Sequence, residues 1–295
     1  MKNIHFIGLS QIVYSLKAQN PPGDSMEFYC FGLAIELLRI YLGNEWANRV
    51  IFPYEEPSTK SESKAKEFLK TNNTLLQNRY RNQDRIIRFA ELLYNLQDVL
   101  GIDNVISKIK SQGLESYLSE LECASFFKRR NIGIEFVVES GEIGKDYDLE
   151  IKISDSIYIP CEIETKIEST HLSKKSIWNT LDKGRKQLPR DCPGIIFLKI
   201  PEAWIREKEI NEEFEQSLNK IFRNTSRIVG VIISWEQWEW GIQQIRLSKY
   251  RIEKNIFSKY LDKKTEKFLD SFEEHGSDKW IRFDLLTSKI ISTFN

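Results

Sequence analysis

The sequence predicts an α/β protein, with a core of alternating strands and helices behind a helical N-terminal region. Three observations predict it. Apolar residues recur at helical spacing through the first third of the chain. Between residues 115 and 235 the pattern reads helix, three strands, helix, strand, helix, strand. The second and third of those strands form a hairpin whose faces separate into one apolar and one charged.

Residues 1–114 form the helical region. Asn20-Pro21-Pro22-Gly23-Asp24 is a break. After it, Phe28, Phe31, Ile35, Leu38 and Leu42 share one helical stripe, ended by Gly43. Phe52 to Ser63, rich in Pro, Ser and Glu, reads as a loop. Arg85 to Leu100 reads as a helix with Ile86, Phe89, Leu93, Leu96 and Leu100 on one stripe and Gly101 as its stop. The polar segment Lys70 to Asp84 suits either a phosphate backbone or, more plainly, a solvated helix face. No catalytic signal precedes residue 115.

Residues 115–235 form the core. Leu118, Leu121, Phe126 and Phe127 mark an amphipathic helix from Glu115 to Arg130, ended by Asn131-Ile132-Gly133. Ile134 to Val138 is a compact strand. In the hairpin that follows, a three-residue turn centred on Asp155 sets Ile153 opposite Ile157, Ile151 opposite Ile159 and Leu149 opposite Cys161. The other face pairs Lys152 with Tyr158, Asp148 with Glu162 and Asp146 with Glu164, with Lys166 further along. A slip of one residue would mix the faces, so the pattern sets the register. Ser176 then caps a helix with Ile177, Leu181, Gly184 and Leu188 on one face and Asn179, Lys183, Lys186 and Gln187 on the other, limited by Pro189. Gly194 to Ile200 is a buried strand, Asn211 to Phe222 a helix and Ile228 to Ile233 a strand.

Residues 236–295 form a C-terminal extension with no role assigned. Trp235, Trp238 and Trp240 at its start suit stacking on unpaired bases or packing over the sheet edge. The interleaved Glu236 and Glu239 would repel a phosphate backbone and favour packing.

A formal net charge of zero excludes a global basic field, so any nucleic-acid contact must come from a local patch. Cys30, Cys123, Cys161 and Cys192 make no C-x-x-C pair, and His5, His171 and His275 are dispersed, against a zinc site and a disulfide framework. No apolar run reaches about 18 residues and the N-terminus lacks the build of a signal peptide. A soluble, cytoplasmic protein with no membrane partner is expected.

Four carboxylates and a lysine at one end of a hairpin are costly to assemble, because like charges repel and each resists desolvation. A hard divalent cation resolves the repulsion, and a lysine beside it can stabilise developing negative charge, a chemistry suited to phosphodiester hydrolysis. The plain alternative is an exposed hairpin with a solvated polar face.

An acid beginning one strand, followed by E-x-K on the next, resembles the signature of the PD-(D/E)XK nuclease superfamily, also called restriction-endonuclease-like. The pieces are Asp148 and Glu162-Ile163-Glu164-Thr165-Lys166, with Tyr147 standing where the family has a proline. Two readings stay open: Glu164-Thr165-Lys166 as the motif, or Glu162-Ile163-Glu164 with Lys166 displaced by two. The hairpin register favours Glu162 and the intact E-x-K favours Glu164 with Lys166.

The resemblance covers about Glu115 to Trp235. It implies a mixed central sheet flanked by helices, a restriction-endonuclease-like core. It also implies hydrolysis of nucleic-acid phosphodiesters, DNA first, dependent on Mg2+ (or Mn2+). Asp148, Glu162 and Glu164 would hold the metal and Lys166 would position the water. Glu120, from the helix before the first strand, would complete the shell, with Glu122 second. Lys183-Gly184-Arg185-Lys186-Gln187-Leu188-Pro189 looks like the lysine- and glutamine-bearing helix of many members, so Lys183, Lys186 and Gln187 would hold the strand.

Charge supports that face: from Lys166 to Arg190 there are seven Lys or Arg against two acids, Glu168 and Asp182. Cutting two strands would call for two sites, hence a homodimer. A member that binds without cutting, a nuclease acting on RNA and a partner-binding protein are the alternatives.

Overall fold

The computed structural model describes residues 6–19, 26–52, 55–69, 76–138, 141, 146–154, 157–166, 173–206, 210–240, 244–273 and 279–292. They divide into two compact units, Met1–Ser125 with Ser277–Asn295, and Phe126–Gly276.

The first unit is helical. Its elements are α1 (Phe6–Gln19), α2 (Met26–Leu42), α3 (Asn44–Val50), α4 (Lys60–Phe68), α5 (Leu76–Leu96), α6 (Ile102–Gln112) and most of α7 (Glu115–Lys128). Helix α2 is apolar on more sides than one stripe provides: Tyr29, Leu33, Leu37 and Tyr41 are buried as well as Ile35, Leu38 and Leu42, while Phe28 is exposed. Gly43, at φ 96°, ends α2 and caps α3 in a conformation that favours glycine. The predicted loop closes early, because the Thr59 side chain accepts a bond from the Glu62 amide and starts α4. Helix α5 begins before Arg85 and ends at Leu96, leaving Leu100 exposed. Between α5 and α7, Arg88 and Glu122 form an ion pair at 3.1 Å with both side chains largely buried. The Asn20–Asp24 break lies outside the described residues.

The second unit carries β1 (Gly133–Phe136), β2 (Leu149–Ser154), β3 (Ile157–Thr165), α8 (Lys174–Gln187), β4 (Gly194–Lys199), α9 (Glu202–Arg206), α10 (Ile210–Asn224), β5 (Ile228–Trp240), β6 (Gln244–Lys254) and α11 (Lys263–Asp270). Its strands make one six-stranded sheet in sequence order. β1, β2 and β3 form an antiparallel meander, β4 and β5 add parallel to β3, and β6 returns antiparallel. The fold is α/β with a mixed sheet flanked by helices. Tight turns suffice for antiparallel neighbours, whereas the parallel joins need the crossovers that α8 and α9–α10 provide.

On one face, Ile177, Leu181 and Leu188 of α8 and Phe214 and Leu218 of α10 share a core with Ile196, Leu198, Val231 and Ile233 of the strands. On the other, Phe126 at the end of α7 meets Phe197, Tyr250 and Phe272 edge to face. The Arg130 guanidinium lies 3.9 Å over the Phe126 ring, and its Nε donates to the Phe272 carbonyl at 2.8 Å.

The hairpin register is the predicted one at Leu149↔Cys161, Ile151↔Ile159 and Lys152↔Tyr158. Nearer the turn it differs. A bulge between Lys152 and Ser154 sets Ser154 opposite Ile157, so Ile153 is the extra residue. Asp155 and Ser156 lie outside the described residues.

The sheet also runs past Trp235. β5 continues to Trp240 and β6 pairs with it from Gly230 to Trp240. The charges of Glu236 and Glu239 hide this continuation from a hydrophobic pattern, although Trp235 packs against the α8–α10 core. The last helix, α12 (Phe283–Ser292), belongs to the first unit. There it buries Phe283, Leu286 and Ile290, and Thr287 bonds the Cys30 sulfur at 3.0 Å. Among the described residues, no helix is long and apolar enough to cross a membrane.

Candidate functional site

Strand β3 has to present two glutamates on one face, because Glu162 and Glu164 are two residues apart. Their neighbours Cys161 and Ile159 point to the other side and are fully buried with Leu149 and Ile151. The charged face is not solvated. Glu162 is 2% exposed and Glu164 6% exposed, so the plain reading of an open polar strand face does not describe this hairpin.

What covers the glutamates is α8. Its first turn is fixed by a capping box between Ser173 and Ser176, which makes Ser173, and not Ser176, the N-cap. Gly184 faces the sheet, and a Cβ there would stand 3.4 Å from Cγ of both Glu162 and Glu164. The missing side chain lets the helix lie directly on the two acids. Gly184→Ala should therefore be tolerated, with the better helix propensity of alanine offsetting a close contact. Gly184→Leu should destabilise the unit by about 1–3 kcal/mol through overpacking. Urea unfolding compares them, and a leucine variant as stable as wild type would mean the helix does not rest on the glutamates.

Lys183, the residue before Gly184, reaches back over the pair. Its Nζ lies 2.9 Å from Glu164 Oε1 and donates to Oε2 at 3.1 Å. Burial disfavours the Lys183 charge, but the Glu164 bond and the fields of Glu164, Glu162 and Asp148 outweigh it and raise its pKa. Asp148 stands just before β2, its Oδ2 accepting from the Ile163 amide at 2.8 Å. That bond ties the first acid to the strand of the other two.

The electrostatics follow. Burial first, then Asp148, then Glu164 push Glu162 far above the usual carboxylate range, up to about 10. Glu164 is also raised by burial, with Lys183 opposing. Glu162 Oε2 is buried without a hydrogen-bond partner, whereas Glu164 Oε1 is met by the Lys183 ammonium.

The other predicted residues are placed as follows. Lys166 follows β3, its amide bonded to the Lys199 carbonyl at 2.9 Å, and its charge lowers the Glu164 pKa. Lys183 is the lysine in bonding contact with that carboxylate. Lys186 pairs with Asp182 at 2.7 Å and is otherwise exposed. Gln187 has a buried Oε1 that accepts no hydrogen bond. Tyr147, the residue before Asp148, donates to Glu150 at 2.6 Å. Glu120 is half-buried in the first unit, and Glu122 there is held by Arg88.

Hard oxygen donors that repel one another, with Glu162 Oε2 lacking a hydrogen-bond partner, are of the type that suits Mg2+ or Mn2+. Mg2+ takes one or two carboxylates and fills its shell with water and phosphate oxygens. Among the described residues, no group of three or more His, Cys, Asp or Glu is arranged to hold a metal ion by itself. Water and substrate would have to supply the remaining ligands.

Fold and site together define an α/β unit on a mixed sheet with a buried acidic pair closed over by a lysine. No family model, no curated protein and no solved structure matches the chain.

Proposed function

We propose that the second unit is a metal-dependent nuclease of the PD-(D/E)XK type, hydrolysing phosphodiester bonds in nucleic acid, DNA in the first instance. One observation carries the reading. Glu162 and Glu164 are buried side by side, Glu162 in the field of Asp148 with its Oε2 lacking a hydrogen-bond partner, and Glu164 held by Lys183. The order of elements from α7 to β4, with a three-stranded meander followed by a parallel strand, is also the order that core requires.

Two of the three acids Glu162, Glu164 and Asp148 would hold the cation, with water and substrate completing its shell, and the bound cation would supply Lewis acidity to a phosphoryl oxygen. A cation bound there would favour the ionised form of Glu162, against the burial and the neighbouring acids that hold it protonated. Lys183, bonded to Glu164, and Lys166, whose charge acts on the same carboxylate, would offer positive charge to a phosphate. Helix α8 keeps water from the sheet side of the site.

A cleavage assay tests this on supercoiled, linear and single-stranded DNA and on RNA, with Mg2+, Mn2+ or EDTA. Wild type should cut only with metal, and Asp148→Ala should lower the rate by about a hundredfold or more. The Lys183–Glu164 contact favours a second reading, binding without cutting, since one acid is already neutralised. Failure of the folded wild type both to cut and to bind Mn2+ in calorimetry would leave only that reading.

A further inference from the structure

The second unit has another concavity. It is a cavity of about 650 Å³ where the C-terminal ends of α8 and α10 meet the turn into β5. Arg185, Lys186, Arg190, Arg227 and Lys259 line it, and among the described residues no acidic side chain does. Asn224, Thr225 and Ser226 add one amide and two hydroxyls.

Such crowding has a bland explanation, that cations gather at helix C-termini to answer exposed carbonyls. Arg227 does this in part, donating to the Arg185 carbonyl. Asp182, paired with Arg185 and Lys186, offsets one more charge. Five cations exceed both needs. The excess registers at Arg227, where burial and then the fields of Arg185 and Arg190 lower the pKa, against weaker opposing fields from Cys192 and Asp191.

The walls are also held in place. Asn255, fully buried, donates from Nδ2 to the carbonyls of Thr225 at 3.0 Å and Ile228 at 2.8 Å. The Ser226 carbonyl takes the Lys259 amide at 3.0 Å and the Ser258 hydroxyl at 2.7 Å. A preformed basin of donors, with no aromatic wall among the described residues, offers a base nothing to stack on, but it can match the oxygens of consecutive phosphates.

We infer that this pocket binds oligophosphate, either successive phosphates of a nucleic-acid backbone or a free di- or triphosphate chain. The inference is independent of the carboxylate site and stands whether or not that site cuts.

Binding is measured in EDTA at low salt, by calorimetry with tripolyphosphate and by fluorescence anisotropy with a labelled DNA duplex. Wild type is compared with the double charge reversal Arg190→Glu/Lys259→Glu. The reversal should weaken at least one ligand by about tenfold or more. A loss confined to tripolyphosphate identifies free oligophosphate as the ligand. A loss for the duplex, with its salt slope reduced by about one per phosphate contact, identifies the backbone. If the reversal lowers the melting temperature, Arg190→Gln/Lys259→Gln removes the charge alone and is judged by the same criteria. Wild type that binds neither ligand, or folded variants that bind both as wild type does, would overturn the inference. Because the readout is binding without metal, a protein that never cleaves is tested on equal terms.

Discussion

Glu162→Gln should stabilise the metal-free protein at pH 8 and remove much of its pH dependence. In the folded state, burial and the neighbouring acids keep Glu162 protonated well above its ordinary value of 4.5, whereas the unfolded chain releases that proton near 4.5. A group whose folded pKa is raised contributes stability that is complete below the unfolded pKa and is lost as pH rises toward the folded one. Across pH 6 to 8 the native state holds about one proton more, so unfolding becomes easier by about 1.4 kcal/mol per pH unit. Glu164, also raised, acts in the same direction, and Lys183, raised from 10.5, stays charged throughout.

In EDTA the wild-type melting temperature should fall by roughly 6–12 °C between pH 6 and 8 for a unit of this size. The glutamine side chain mimics the neutral form at every pH, so the variant should fall much less. The difference between the two proteins reports the contribution of Glu162. Mn2+ should protect wild type more at pH 8 than at pH 6, since it binds the deprotonated acids. Parallel melting curves for the two proteins would mean Glu162 is ionised in the fold and the site is wetter than described.

Arg88→Leu should cost the first unit about 3–5 kcal/mol. Glu122 is 7% exposed at its side chain and Arg88 15%, so the carboxylate left behind would have little access to water. The penalty arises from the buried carboxylate's loss of its Arg88 countercharge more than from the lost attraction. The double variant Arg88→Leu/Glu122→Leu should accordingly recover most of the loss, because a buried ion pair is often replaceable by apolar packing. Urea unfolding followed by circular dichroism measures both. A single variant within about 1 kcal/mol of wild type would show the pair to be a surface interaction. The result also bears on the acids of α7: Glu122 is held for stability by a partner from α5.

The strand and helix order of residues 115–235 was legible, except for the short helix α9, because the longer elements have a strong period and clear stops. The same holds for the hairpin register, where Leu149, Ile151, Ile159 and Cys161 leave little freedom. Asp148, Glu162 and Glu164 could be named for the same reason, since strand alternation alone aligns them.

Three things were not legible. The bulge at Ile153 is set by the turn and leaves no mark in the hydrophobic pattern. The burial of the glutamates depends on Gly184, which reads in sequence as an ordinary small residue on an apolar face. Lys183 falls on the opposite side of α8 from Leu181 by helical spacing, yet its long side chain bends back to Glu164, a reach that spacing cannot report. The basic pocket was half visible in the run ending at Arg190. Arg227 and Lys259 join it from the turns before β5 and after β6, far along the chain.

The division of the chain has a consequence for its biosynthesis. The second unit is one uninterrupted segment, but the first is completed only by α12. Until Phe283, Leu286 and Ile290 are made, Cys30 lacks the Thr287 hydroxyl and Glu91 the Phe283 amide that this helix brings to them. At about 5–20 residues per second, roughly 8–33 seconds separate the emergence of Ser125 from that of Ser292. The usual order of N-terminal region first is therefore reversed: the nascent chain can finish its sheet while its first helices still wait, with apolar surface uncovered, for the last one.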